Sequence, residues 1–154
     1  TLHGLKTLHH RQIVLDAVLH VVRCFEDPDV VHVDGKVDPV RDIETIDNEL
    51  ILKDEETVKT KLKRCSKQKA DKEALAAIPV LEKVIKGLNE FKAVRAQKLT
   101  PDELAHLADC HLITQKPMLF VCNIGENDIT THGNAHSKAV FDHATKVGAR
   151  AILI

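Results

Sequence analysis

Two apolar runs set the strongest limit on what this chain can fold into. "LDAVLHVVRCF", residues 15 to 25, is β-branched and nearly continuous, and "PMLFVCNI", residues 117 to 124, has the same character. A strand that is apolar on both alternating sides offers no face to water, so each run reads as a strand of a parallel sheet covered on both faces. "ARAILI", 149 to 154, reads as a third strand, and "HSKAVFDHATKVG" as a helix before it, stopped by Gly148. Strand, helices, strand, helix, strand is the order of an open α/β sheet. Three strands are few for such a sheet, so the expected domain is a partial one.

The stretch between the first two strands is long and helical. Asp38 suits a cap and Pro39 a first helical position, where no amide donor is needed. Ile43, Ile46, Leu50, Val58, Leu62 and Cys65 then recur at three-and-four spacing, with a break near Asp54. A second stripe holds Leu75, Ile78, Leu81, Val84 or Ile85, Leu88 and Phe91, and "SKQKADK" between the two is turn-like. One narrow stripe on an otherwise charged helix needs a partner, and the simplest is the other helix: an inserted antiparallel hairpin of coiled-coil type. Pro79 is expected to kink or restart its second helix. The division is therefore 1–40 and 100–154 in the α/β part, and 41–99 in the hairpin. Shorter pieces complete the reading: a helix within 2–13, an extended "VVHV" at 30–33 turned by Gly35, and a helix in "TPDELAHLADCHLI", begun by Thr100 and Pro101.

Composition removes several classes of function. With 22 basic and 23 acidic residues the chain has no global field to attract nucleic acid or a membrane. A local excess exists at the hairpin turn, where residues 53 to 73 hold eight Lys or Arg against five acidic residues. That is either a solvated face or a ribosome or protein contact. Four Phe with no Trp or Tyr leave no rings for a base-stacking platform, and nothing points to sequence-specific DNA. Cys24, Cys65, Cys110 and Cys122 form no C-x-x-C pair, which fits a reducing, cytoplasmic compartment. No apolar run approaches the ~18 residues of a membrane span.

The second strand runs into Asn123-Ile124-Gly125-Glu126. Ligands of open α/β sheets bind beyond the carboxyl ends of the strands, and GTPases carry Asn-Lys-x-Asp at such an end to read guanine. An Asn side chain offers a donor and an acceptor to a purine edge. Here Ile stands in place of Lys and Glu in place of Asp. The tetrad is either a base-reading loop that has lost guanine or a polar loop after a strand.

"RCFEDPDVVHVDGKVDPVRDIETIDNELILKD", residues 23 to 54, resembles the stretch that marks the Obg-like ATPases, the YchF-type subfamily of translation-factor-related P-loop NTPases. There too a coiled-coil insertion follows, and then a Lys-Pro strand ending in Asn-x-x-Glu. The resemblance implies a G-domain-like fold and an ATPase that prefers adenine. Its base-binding residues would be Asn123, which reads the base edge, Ile124, which lies by the base, and Glu126, where the guanine-selective Asp is lost. The chain has no G-x-x-x-x-G-K-[ST] loop and no D-x-x-G, so nothing in it cradles phosphates or holds the Mg²⁺ that the full-length protein would use with ATP. The expectation is a central piece of such a protein, with no catalytic residue of its own.

Other constellations read as structural. His132, His136 and His143, or His106, Cys110 and His111, are too few for a closed tetrahedral site, so no metal site is assigned. Asp27, Asp29, Asp34, Asp38 and Asp42 read as caps and turn formers, and His20 and His32 as packing residues. No local signature supports a Cys-His nucleophile. The rival to the ATPase reading is a non-enzymatic interaction module that presents its helical hairpin to a protein or ribosomal partner.

Overall fold

The computed structural model describes residues 17–26 and 37–154; the helix expected within 2–13 and the extended piece at 30–33 lie outside them. Three strands, β1 (Val18–Arg23), β2 (Met118–Asn123) and β3 (Arg150–Leu153), form one parallel sheet in the order β1-β2-β3. Val21 stands opposite Val121, which stands opposite Ile152. The fold is α/β, a partial parallel sheet with an inserted helical hairpin, as the apolar runs and the two helical stripes imply.

Helix α1 (Pro39–Lys67) starts where Asp38 accepts a hydrogen bond from the Arg41 amide at 3.1 Å, with Pro39 in its first turn. It runs on as one helix through Asp54, where the apolar stripe is interrupted. A four-residue turn leads into α2 (Lys72–Asn89), capped by Asp71 through the Glu73 and Ala74 amides. α2 also runs unbroken through Pro79. Pro79 and Leu75, whose carbonyl loses the bond that the proline cannot donate, are both exposed, so water serves that carbonyl and the cost of the proline falls. Phe91 leaves the expected stripe. It lies past the helix end at φ 54° and is exposed.

Two apolar clusters result. Ile43, Leu50, Val22, Cys24, Met118, Phe120, Cys122, Val140 and Ala144 join the first turns of α1 to one side of the sheet and to α5 (Ala135–Lys146). Ile51, Val58 and Cys65 face Ala77, Leu81, Val84 and Leu88 across the hairpin, and Val94, Leu107 and Leu112 belong to this second cluster. One helix thus serves both cores, changing clusters between Leu50 and Ile51. The expected helix after Thr100 is only α3 (Pro101–Ala105), its capping box formed by Thr100 and Glu103. A 3₁₀ turn at Ala108–Cys110 and a left-handed His111 follow, because Leu107 and Leu112 are both drawn into the hairpin cluster.

The first strand is not covered on both faces by the described residues. Leu19 and Val21 are 65% and 62% exposed, and Ile152 beside them is 45% exposed. Helices α1 and α5 pack on the other side, around Val22, Phe120 and Cys122.

Candidate functional site

The tetrad sits where the sheet ends. Asn123 is the last residue of β2, the central strand, with Arg23 of β1 as its neighbour in register. Its carbonyl accepts from the Cys24 amide at 2.8 Å. On the other side the Ile124 amide donates to the Ile154 carbonyl at 3.1 Å, and the Ile154 amide to the Cys122 carbonyl at 3.0 Å. Both neighbouring strands therefore grip the backbone at this point. Gly125 then leads into a single helical turn, α4 (Glu126–Ile129), closed by the Asp128 amide on the Gly125 carbonyl at 2.9 Å.

The three expected site residues differ in setting. Asn123 is half-buried at the strand end. Ile124 is half-buried as well and packs on the sheet cluster. Glu126 is exposed at the start of the turn. Strand alternation places Asn123 on the side of Leu119 and Val121, the same side as Leu19, Val21 and Arg23 of β1. Arg23 has its guanidinium over the Phe25 ring at 4.8 Å and its Nε on the Phe25 carbonyl at 3.0 Å. Its Nη2 is buried and has no hydrogen-bond partner among the described residues.

Chemically, this strand end could offer a purine the half-buried side-chain amide of Asn123. Two clefts, of about 170 and 510 Å³, lie away from it: one between α1 and Asp109–Cys110, the other at the opposite ends of β2 and β3. The Asn123 amide could meet a base edge, and among the described residues no acidic or histidine cluster is gathered to hold Mg²⁺.

Asn134 was not singled out from the sequence. Its Oδ1 accepts from the Ser137 amide at 2.9 Å and caps α5, while its Nδ2 donates to the Cys24 carbonyl and to Asp128 Oδ2, each at 2.6 Å. Part of the signal was present: Asn just before a segment of helical spacing is a helix-cap candidate. Asp54 was noticed only as an interruption. It is 2% exposed and accepts from the Ile113 and Thr114 amides at 2.9 and 2.7 Å. Burial pushes its carboxyl up from the ordinary range, against the pull of those hydrogen bonds.

The histidine groups separate. His143 stands edge-on to Phe120 at 5.8 Å, with His20 at 5.7 Å from the same ring. Burial lowers His20 from its ordinary value, opposed by Asp47 and Asp42. His136 faces Glu26 at 3.6 Å, and His132 takes φ 55° in a turn. Among the described residues no three His, Cys, Asp or Glu side chains gather as a metal site. All four cysteines are free, and burial pushes the Cys24 thiol up to about 12. No described helix is long and apolar enough to cross a membrane.

No family model matches the chain. Curated relatives do. It is 38% identical over 155 residues to a Bacillus subtilis protein named ribosome-binding ATPase YchF, covering 98% of this chain and 42% of the relative. It is 36% identical over 136 residues to the protein of the same name from Escherichia coli O157:H7, covering 87% of this chain and 37% of that one. A solved structure titled as the Schizosaccharomyces pombe YchF GTPase superposes with a TM-score of 0.78 at 29% identity, covering 91% of this chain and 40% of that chain. The chain spans about two fifths of the length of these relatives. With the apolar sheet, the inserted hairpin and the Asn-x-x-Glu strand end all in place, the chain belongs to the YchF-type, Obg-like proteins of the P-loop NTPase class.

Proposed function

We propose that this chain is the adenine-reading part of an ATP-binding and ATP-hydrolysing Obg-like protein, with Asn123, Ile124 and Glu126 forming the base site. The observation that carries the reading is the place of Asn123. It ends the central parallel strand, Cys24 holds its carbonyl while Ile154 holds Cys122 and Ile124 on either side of it, and Glu replaces the Asp that would accept from guanine. Asn123 would meet the base edge through its amide, and Ile124 would flank the base from the sheet cluster. Phosphate and Mg²⁺ chemistry would come from a phosphate loop that these 154 residues do not include. ATP bound with Mg²⁺ supplies a transferable γ-phosphoryl group; this chain's share is to select and orient the base.

The relatives' name supports a ribosomal partner and, with it, a cytoplasmic setting. The hairpin turn is the contact we favour. Lys63, Lys67, Lys69 and Lys72 are exposed there, and among the described residues no ion pair holds them. The same lysines support the second reading, in which the chain acts without catalysis as a module presenting its hairpin to a protein or ribosomal partner. We keep the division into an α/β part, 1–40 and 100–154, and a hairpin, 41–99, as part of the proposal.

The test is a comparison of bases. Isotope-labelled chain titrated with ATP should show amide shifts at 123 to 126, and GTP should give weaker ones. Ile124→Lys with Glu126→Asp restores the guanine-reading pattern and should move the ATP-to-GTP affinity ratio toward GTP by about tenfold, since a polar contact to a base edge contributes on the order of 1–3 kcal/mol. An unchanged ratio would make the tetrad a polar loop after a strand. The relatives are named ATPase and the yeast structure GTPase, so base preference is the property to measure.

A further inference from the structure

We infer that Asn134 is the positioning residue of the base loop, an inference that rests on the adenine reading above. Capping α5 needs only an acceptor, and Ser, Thr or Asp would serve as well as Asn. Asn134 brings two N–H donors beyond that need, and both are used. One holds the Cys24 carbonyl, across 110 positions of sequence, and the other holds Asp128 Oδ2, both at 2.6 Å. Each of those residues is in turn bonded to the loop. The Cys24 amide holds the Asn123 carbonyl at 2.8 Å, and the Asp128 amide holds the Gly125 carbonyl at 2.9 Å.

Residues 123 to 125 are thus held at both ends, and both anchors converge on one side-chain amide. Asn134 ties together the end of β1, the turn after the tetrad and the start of α5. Loss of its donors frees the loop without removing any group that would touch a base. A base edge is read by short, directional bonds, so a displacement of about 1 Å takes a donor or acceptor out of hydrogen-bond range.

Two substitutions separate this role from capping. Asn134→Ser keeps an acceptor for the Ser137 amide and removes both donors. Asn134→Asp also keeps the cap but sets a carboxylate against Asp128 and the Cys24 carbonyl; adding Asp128→Asn restores one amide–carboxylate pair. Labelled wild-type chain and each variant are titrated with ATP and with GTP while the amides of 123 to 128 are followed. Hydrogen exchange and thermal melts are recorded without nucleotide. Both single variants should melt close to wild type. They should exchange faster at Ile124 to Asp128 but not at Phe120, bind ATP about tenfold more weakly, and lose the ATP-over-GTP preference. The double variant should regain part of that preference. Wild-type ATP affinity and preference in both single variants would overturn the inference and leave the adenine reading standing. A wild-type chain whose amides respond to neither nucleotide would overturn both.

Discussion

Asp54 shows how one side chain joins two parts of the chain. It sits in the middle of α1 at the level where the helix passes from the sheet cluster to the hairpin cluster. From there it accepts both amides of the segment leading into β2. Thr114, itself buried, passes the connection on by accepting from the Val94 amide at 3.1 Å. A carboxylate with two acceptor oxygens answers two adjacent amides that no helix or strand serves. Asp54→Ala should therefore cost about 2–4 kcal/mol, because the buried Thr114 amide loses its partner at on the order of 1–3 kcal/mol and the half-buried Ile113 amide adds about 1 kcal/mol. For a chain of this size that is a fall in Tm of roughly 5–15 °C, read by a calorimetric or circular-dichroism melt. A change of a degree or two would mean that water enters and serves those amides.

The helices carry their information in which positions of a stripe are buried. Leu81 is fully buried between α1 and α2, and Leu75, six positions earlier on the same expected stripe, is 44% exposed. Leu81→Ala should destabilise the chain by about 2–5 kcal/mol, the usual cost of a truncation that leaves a cavity. Leu75→Ala should stay within about 0.5 kcal/mol, since little changes at an exposed site. Urea titrations of the two variants give both numbers, and equal losses would mean that the hairpin seam is wound differently. Because α1 runs unbroken through both clusters, the Leu81 variant should also raise amide exchange at Ile43 and Leu50, the helix residues over the sheet.

At the scale of the molecule, the sheet's second side is the feature a solvent would notice first. Leu19, Val21, Ile152 and Ile154 are all exposed, and the strand register sets Val21, Val121 and Ile152 in one row. Parallel sheets occur almost only with both faces covered, and an apolar patch of this kind binds dyes and promotes association. Val21→Thr with Ile152→Thr should lower the fluorescence of a bound hydrophobic dye and raise solubility, with helical circular dichroism unchanged. Dye binding that does not respond would show that this side is covered in solution.

Much of this was legible in the sequence, and the reasons are local. Continuous β-branched runs, a Pro after an Asp cap, a Thr-x-x-Glu box and apolar spacing of three and four act within a few residues, so strands, helix starts and the hairpin follow from composition in order. The resemblance of residues 23 to 54 and of the Asn-x-x-Glu strand end to the Obg-like pattern is likewise a property of the string. Tertiary structure decided whatever depended on partners far along the chain. Leu19 and Val21 have the same apolar character as Val22, yet among the described residues only Val22 meets a helix. Phe91 continues a stripe in sequence but lies beyond the helix that would bury it. Asp54 looks like a flaw in a helix until the Ile113 and Thr114 amides arrive beside it, and Asn134 looks like a cap until Cys24 does. The range of the force explains the split. Propensity and capping act over one turn, whereas burial and the pairing of buried polar groups are settled only when segments a hundred residues apart are brought into contact.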